Sequence, residues 1–199
     1  TDTYFADDEI QMMPRAGYTA LFEALLDHPN ISLALNTIFE KTMLAQYDFC
    51  FNSMPIDEYF KFTLGELPYR SLKFYHETHE GLPAQDWSVT NYTGAEKFTR
   101  ETAWHVLPHH VAQDTGRHTR TREEPCDYRD NNMERYYPVK TADGRFNALY
   151  EKYKALAASE PKVAFIGRCG TYQYLDMDQV INQSLANVEK WLEEQAVLF

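Results

Sequence analysis

Apolar side chains along this chain change their spacing several times, and each change marks a predicted element. After Gly17-Tyr18-Thr19, residues Leu21, Leu25 and Leu26 share one helical face, and His28-Pro29-Asn30 ends that helix. Ile31, Leu33 and Leu35 then alternate with smaller or polar residues, the two-residue period of a strand. A second strand is predicted over 47–52, and a short helical turn over 55–60. Segments 70–76, 86–92, 97–106 and 117–124 are rich in aromatic and β-branched residues. The turn formers Gly81-Leu82-Pro83, Gly94 and Gly116 separate them, so they read as an antiparallel meander. After an irregular stretch (125–142), Phe146, Leu149, Tyr150, Tyr153 and Leu156 repeat with a helical period. A strand over 162–166 and a helix over 177–196 follow. In that helix Val180, Ile181, Leu185, Val188 and Leu192 are expected to form the buried stripe. The fold class is α+β: an antiparallel β-sheet meander with flanking helices.

Composition narrows the classes of function. With 199 residues, 44% of them hydrophobic and 15% aromatic, the chain can bury a real core, as one domain or as half of a two-lobed protein. No apolar run approaches the length of a membrane span. Thr1-Asp2-Thr3-Tyr4 lacks the basic-then-apolar pattern of a signal peptide, so a cytoplasmic location is expected. A net charge of −11 argues against nucleic acid or an anionic membrane as partner. A small anionic ligand stays open if a few Arg residues make a local basic pocket. Cys50, Cys126 and Cys169 are far apart and form no CxxC pair, which reads as reduced thiols. No metal site is expected: His76 and His79 lack the HExxH spacing, and Pro108 interrupts the face shared by His105, His109 and His110. There is no GxSxG elbow, and Ser71 has no base beside it.

Candidate chemistry gathers where the strand 163–166 gives way to the last helix, across Gly167-Arg168-Cys169-Gly170-Thr171-Tyr172-Gln173-Tyr174-Leu175-Asp176-Met177-Asp178. The order puts an Arg, two Tyr hydroxyls and a carboxylate around one corner, and an Arg fork suits a diphosphate. Read on its own, such a corner serves packing and capping equally well, with Asp176 as the N-cap of the helix. Arg100, mid-strand, reads as solvated or paired with Glu101 or Glu124. Tyr18, Tyr136, Tyr137 and Tyr174 read as half-buried aromatics with the hydroxyl at the surface.

The segment GRCGTYQYLDMD resembles the flavin-contacting signature of the UDP-galactopyranose mutase family, written GRLGxYxYxDMD. Further blocks follow in the family's order: QMMPRAGYT at 11–19, PIDEYF at 55–60, LPYRSLKF at 67–74, VTNYT at 89–93, FTRE at 98–101 and YYPV at 136–139. The resemblance implies the C-terminal part of a flavin-dependent mutase fold. It divides the chain into residues 1–60 at the edge of the flavin domain, 61–142 as an antiparallel-sheet substrate domain, and 143–199 returning to the flavin domain. It implies interconversion of UDP-galactopyranose and UDP-galactofuranose, for cell-surface galactofuranose, with reduced FAD whose N5 attacks the anomeric carbon. Arg100 is thereby assigned to the substrate diphosphate and to catalysis. Tyr18, Tyr136 and Tyr174 are assigned to diphosphate and sugar, Asn91 to the sugar side, and Arg168 and Asp176 to flavin and sugar, with Asp176 also assigned to catalysis. Whether Tyr136 or Tyr137 faces the ligand is left open, with Tyr136 favoured, and Arg70 is read as structural.

Two departures from the family pattern matter. None of the eight glycines forms GxGxxG, so the N-terminal flavin-binding half is absent from this chain and is its implied partner. On its own the chain is expected neither to retain FAD nor to turn over substrate. Such a partner implies an exposed apolar surface near the helix 18–27 and the strand 162–166, and a homodimer is a further partner the pattern admits. The opening stretch Ala6-Asp7-Asp8-Glu9-Ile10 is acidic where the family carries a basic residue on a mobile loop, and the first basic residue is Arg15. Two readings from other classes stand beside the mutase: a catalytically silent sugar-nucleotide-binding or interaction module, and half of another amine oxidase-like flavoenzyme.

Overall fold

A computed structural model describes residues 12–81, 87–107 and 116–196. The helix α1 spans Gly17–Leu26 and is entered through Gly17 at φ +84°, in a turn closed by its N–H on the Pro14 carbonyl. The strand expected over 31–35 does not form: no ladder partner is present among the described residues, and Leu33 and Leu35 are 60% and 72% exposed. Alternating hydropathy needs a neighbouring strand and an apolar cover to become a strand, and this segment has neither here.

Besides three short 3-10 turns, eleven further α-helices and β-strands follow among the described residues: β1 (Cys50–Asn52), α2 (Ile56–Tyr59), β2 (Tyr69–Glu80), β3 (Val89–Asn91), β4 (Arg100–Ala103), β5 (Arg117–Asp127), β6 (Tyr137–Pro138), α3 (Arg145–Ala157), β7 (Val163–Phe165), α4 (Gly167–Gly170) and α5 (Met177–Ala196). Five strands form a curled antiparallel sheet in the order β3-β4-β5-β2-β6, giving the expected α+β class. The meander runs through β3, β4 and β5, and β2 closes onto β5 rather than β3. Length explains the choice: β2 has 12 residues and β5 has 11, whereas β3 has 3. The long strands are stitched by His76 Nδ1 on Thr121 Oγ1 (2.8 Å) and Thr78 on Thr119 (3.2 Å). The second sheet is a parallel pair, β1 with β7, in which Phe51 lies opposite Ala164.

The chain divides into two compact units, residues 1–37 with 74–124 and residues 38–73 with 125–199. The second holds a core of Ile56, Leu67, Tyr69, Tyr128, Tyr153 and Tyr172, all nearly fully buried. Four of these six are phenols, and a buried phenol needs a partner for its hydroxyl. Tyr172 Oη lies 2.7 Å from the Val139 carbonyl and 3.0 Å from that of Pro68, and Tyr69 donates to the Cys169 carbonyl. Tyr153 donates to the Gly65 carbonyl (2.6 Å) and accepts the Leu64 N–H (3.1 Å). Tyr153→Phe strands both backbone groups, with an expected cost of about 2 kcal/mol. Urea unfolding should show it as a lower midpoint at unchanged slope; an unchanged midpoint would contradict this role.

The apolar stripe expected on α5 is shifted. Ile181, Leu185 and Leu192 are 54%, 58% and 53% exposed, whereas Val180, Ser184, Val188 and Trp191 turn inward. Trp191 packs on Phe49 (5.4 Å between rings) and edge-on against Phe51 of β1. A helix apolar on two sides gives no periodic signal for which side meets the core. An exposed apolar surface is present on α1, where Phe22 and Leu25 are more than half exposed. The strand at 163–166 departs from that expectation: Val163 is buried, and residues 164–166 are half-buried in the pair with β1.

Candidate functional site

The corner after β7 is built by close backbone packing. The Ile166 N–H donates to the Asn52 carbonyl, and Gly167 takes a left-handed φ of +72°. A Cβ on Gly170 would stand 3.0 Å from the Asn52 carbonyl oxygen, so a bare backbone is needed there. This tight passage turns the chain back on itself and brings the Arg168 side chain among the residues that follow it. Its Nε donates to the Leu175 carbonyl (2.5 Å) and its Nη1 to the Tyr136 carbonyl (3.2 Å), while Nη2 stands 3.9 Å from Asp176 Oδ1. The guanidinium carbon lies 4.6 Å from the Tyr174 ring centre and 5.5 Å from that of Tyr136. Tyr137 bridges these two phenols, 5.1 Å from Tyr136 and 5.8 Å from Tyr174. Arg168, Tyr136, Tyr174 and Asp176 are therefore brought together, with Tyr136 and Tyr174 still 39% and 54% exposed.

Asp176 holds two positions at once. Its carbonyl accepts the Val180 N–H and its own N–H donates to Gln179 Oε1, the reciprocal half of a capping box at the start of α5. The carboxylate is left facing Arg168. One residue at this corner was not anticipated from the sequence. Asn52 ends β1 and is 5% exposed; its Oδ1 accepts the Met54 N–H, and its Nδ2 is buried without a partner among the described residues. A polar residue closing a strand just before Ser53-Met54-Pro55 was the available signal. The carboxyl ends of a parallel pair are where ligands of open α/β sheets sit. An amide donor, a guanidinium and two phenols near that end, beside the Asp176 carboxylate, suit a planar flavin and its phosphates.

In the first unit Arg100 stands directly opposite Asn91 on the β3–β4 ladder, and its Nε donates to Asn91 Oδ1 at 3.1 Å. The carboxylates expected to neutralise it are engaged elsewhere: Glu101 with Arg120 (3.2 Å), and Glu124 with Lys97 (3.1 Å) and Tyr75 (2.5 Å). Arg100 is exposed and has no ion pair among the described residues. Tyr18 lies in the first turn of α1, 37% exposed, beside an open apolar hollow lined by Phe22, Leu26, Leu33 and Leu35. It makes no hydrogen bond or ring contact to Arg100 or Asn91 among the described residues. Arg15 is exposed, and the acidic stretch 6–10, like His109 and His110, lies outside the described residues.

Burial pushes the Cys169 and Cys50 thiols up, and all three cysteines are free. Among the described residues no three His, Cys, Asp or Glu side chains gather as metal ligands, and no helix is long and apolar enough to cross a membrane.

A family model described as UDP-galactopyranose mutase matches residues 1–174. The chain is 34% identical over 196 residues to a probable UDP-galactopyranose mutase of Klebsiella pneumoniae, covering 98% of the chain and 49% of that relative. It is 31% identical to a UDP-galactopyranose mutase of Mycoplasma pneumoniae, covering 96% of the chain and 50% of the relative. It is 32% identical to a dTDP-fucopyranose mutase of Escherichia coli, covering 96% and 51%. The chain thus spans about half the length of the curated relatives it matches.

Proposed function

Because this chain belongs to the UDP-galactopyranose mutase family and corresponds to the C-terminal half of its relatives, we propose that it is the substrate-gripping portion of an enzyme interconverting UDP-galactopyranose and UDP-galactofuranose. The observation that carries this reading is the gathering of Arg168, Tyr136, Tyr174 and Asp176 within the signature corner. Reduced FAD, when bound, supplies the nucleophile that lets the anomeric bond break and re-form without net redox. Arg168 and Asp176 hold the flavin side, and Asn52 Nδ2 adds a donor there. Arg100 grips the diphosphate, with Asn91 fixing one edge of its fork. Tyr18, Tyr136 and Tyr174 donate to phosphate and sugar oxygens as neutral phenols, which avoids the desolvation cost of further ions. As UDP departs, its growing charge falls to Arg100.

Residues 61–142 form the substrate domain, while 1–60 and 143–199 belong to the flavin domain. The partner that completes them is the flavin-binding N-terminal half found in the longer relatives. Two features support it: among the described residues the parallel pair β1–β7 has only two strands, few for a parallel sheet, and the outer row Met177, Ile181, Leu185 and Leu192 of α5 is exposed. The enzyme works in the cytoplasm on a soluble nucleotide sugar.

The test is conversion. The full-length parent with reduced FAD should turn UDP-galactofuranose into the pyranose, and this chain alone should not. The dTDP-fucose pair, run alongside, checks the nucleotide sugar. A parent that binds UDP-galactofuranose and leaves it unchanged would refute the mutase reading.

A further inference from the structure

Neither the family blocks nor the signature corner accounts for Arg135. Its side chain is 8% exposed and lies on the stretch running from the turn at 128–130 into β6. The guanidinium carbon is 4.9 Å from the Tyr128 ring centre and 5.7 Å from that of Tyr69. Nη1 pairs with Glu58 at 3.1 Å, while Nε and Nη2 are buried without partners among the described residues. A buried cation with two unmet donors is a poor way to stabilise a core, since apolar packing of the same volume does as well or better. Its charge does offset the burial of Asp57, whose carboxyl burial pushes up. A Lys would supply that charge; the flat fork asks for another reason.

The reason lies in what Arg135 precedes. The Asn131 amide donates to Ser71 Oγ (2.9 Å) and to the Leu72 carbonyl (3.0 Å), and the Tyr136 N–H donates to the Arg70 carbonyl (2.9 Å). Between these ties Asn132 and Met133 sit at φ 51° and 63°, a left-handed conformation that non-glycine residues hold only when their surroundings fix it. Arg135 is the side-chain anchor one step before Tyr136, whose carbonyl and ring both meet Arg168. We infer that Arg135 is a positioning residue: packed on Tyr69 and Tyr128 and held by Glu58, it fixes the stretch that presents Tyr136 to the diphosphate. This inference rests on the mutase reading given above.

Calorimetric titration of UDP into the full-length parent with reduced flavin tests it. Arg135→Lys keeps the charge beside Asp57 but loses the planar clamp, and should weaken UDP binding about tenfold. In a Tyr136→Phe background the same substitution should change affinity less than about twofold, because no hydroxyl is left to position. A merely structural role would give losses that multiply, and that result overturns the inference. Parental affinity in Arg135→Lys, with Tyr136→Phe impaired, overturns it equally. Parental affinity in Tyr136→Phe would instead remove Tyr136 from the mutase site, and the inference with it. If Arg135→Lys does not accumulate as folded protein, Glu58→Gln takes its place at a half-exposed position. About a threefold loss is then expected, with the same dependence on Tyr136.

Discussion

Arg100→Ala in the full-length parent is expected to cut conversion of UDP-galactofuranose by roughly 10²–10³-fold, the usual loss when one donor to a developing charge is removed. The geometry behind this is specific. Nε of Arg100 is tied to Asn91, Glu124 and Glu101 are paired with Lys97 and Arg120, and the side chain is exposed. A fork held at one edge and without an ion pair among the described residues is suited to an anion arriving from solution. The loss should appear mainly in kcat, because the diphosphate gains charge as the sugar leaves. Arg100→Lys keeps the charge without the fork and should recover part of the rate. A variant as active as its parent would remove Arg100 from the mechanism.

Arg168→Met should lower flavin retention by the full-length protein by about two orders of magnitude, roughly 3 kcal/mol. Arg168 donates to the Leu175 and Tyr136 carbonyls, faces the Asp176 carboxylate, and lies over the Tyr174 and Tyr136 rings. Removing it takes away both of those hydrogen bonds and the guanidinium's contacts with the two rings. Flavin absorbance after purification reads the loss, and circular dichroism checks that the fold survives. A fully flavin-loaded variant would assign Arg168 to packing alone.

Much of the fold was legible because local chemistry and tertiary structure agree. Gly17 and the His28-Pro29 stop bracket α1, the 3.6-residue repeat from Phe146 to Leu156 lies on α3, and residues 177–196 form α5 over their whole length. Legibility failed where the deciding partner is remote in sequence. Ile31–Leu35 alternates like a strand but finds no ladder partner among the described residues, and α5 turns Trp191 rather than Leu192 inward because Phe49, just before β1, and Phe51 on it wait there. The candidate site divides in the same way. The signature corner and the Arg100–Asn91 pair follow from contiguous motifs and from cross-strand register. Asn52 and Arg135 could not be ranked, because their interest lies in buried donors without partners, a property that appears only after folding.

The central claim is that Arg100, on β4, grips the substrate diphosphate. Its most direct test is the dissociation constant of UDP for the reduced full-length parent, measured with Arg100→Ala and Tyr174→Phe. Affinity should fall at least about tenfold in the first and about threefold in the second. An Arg100→Ala protein that binds UDP as tightly as its parent would contradict the account.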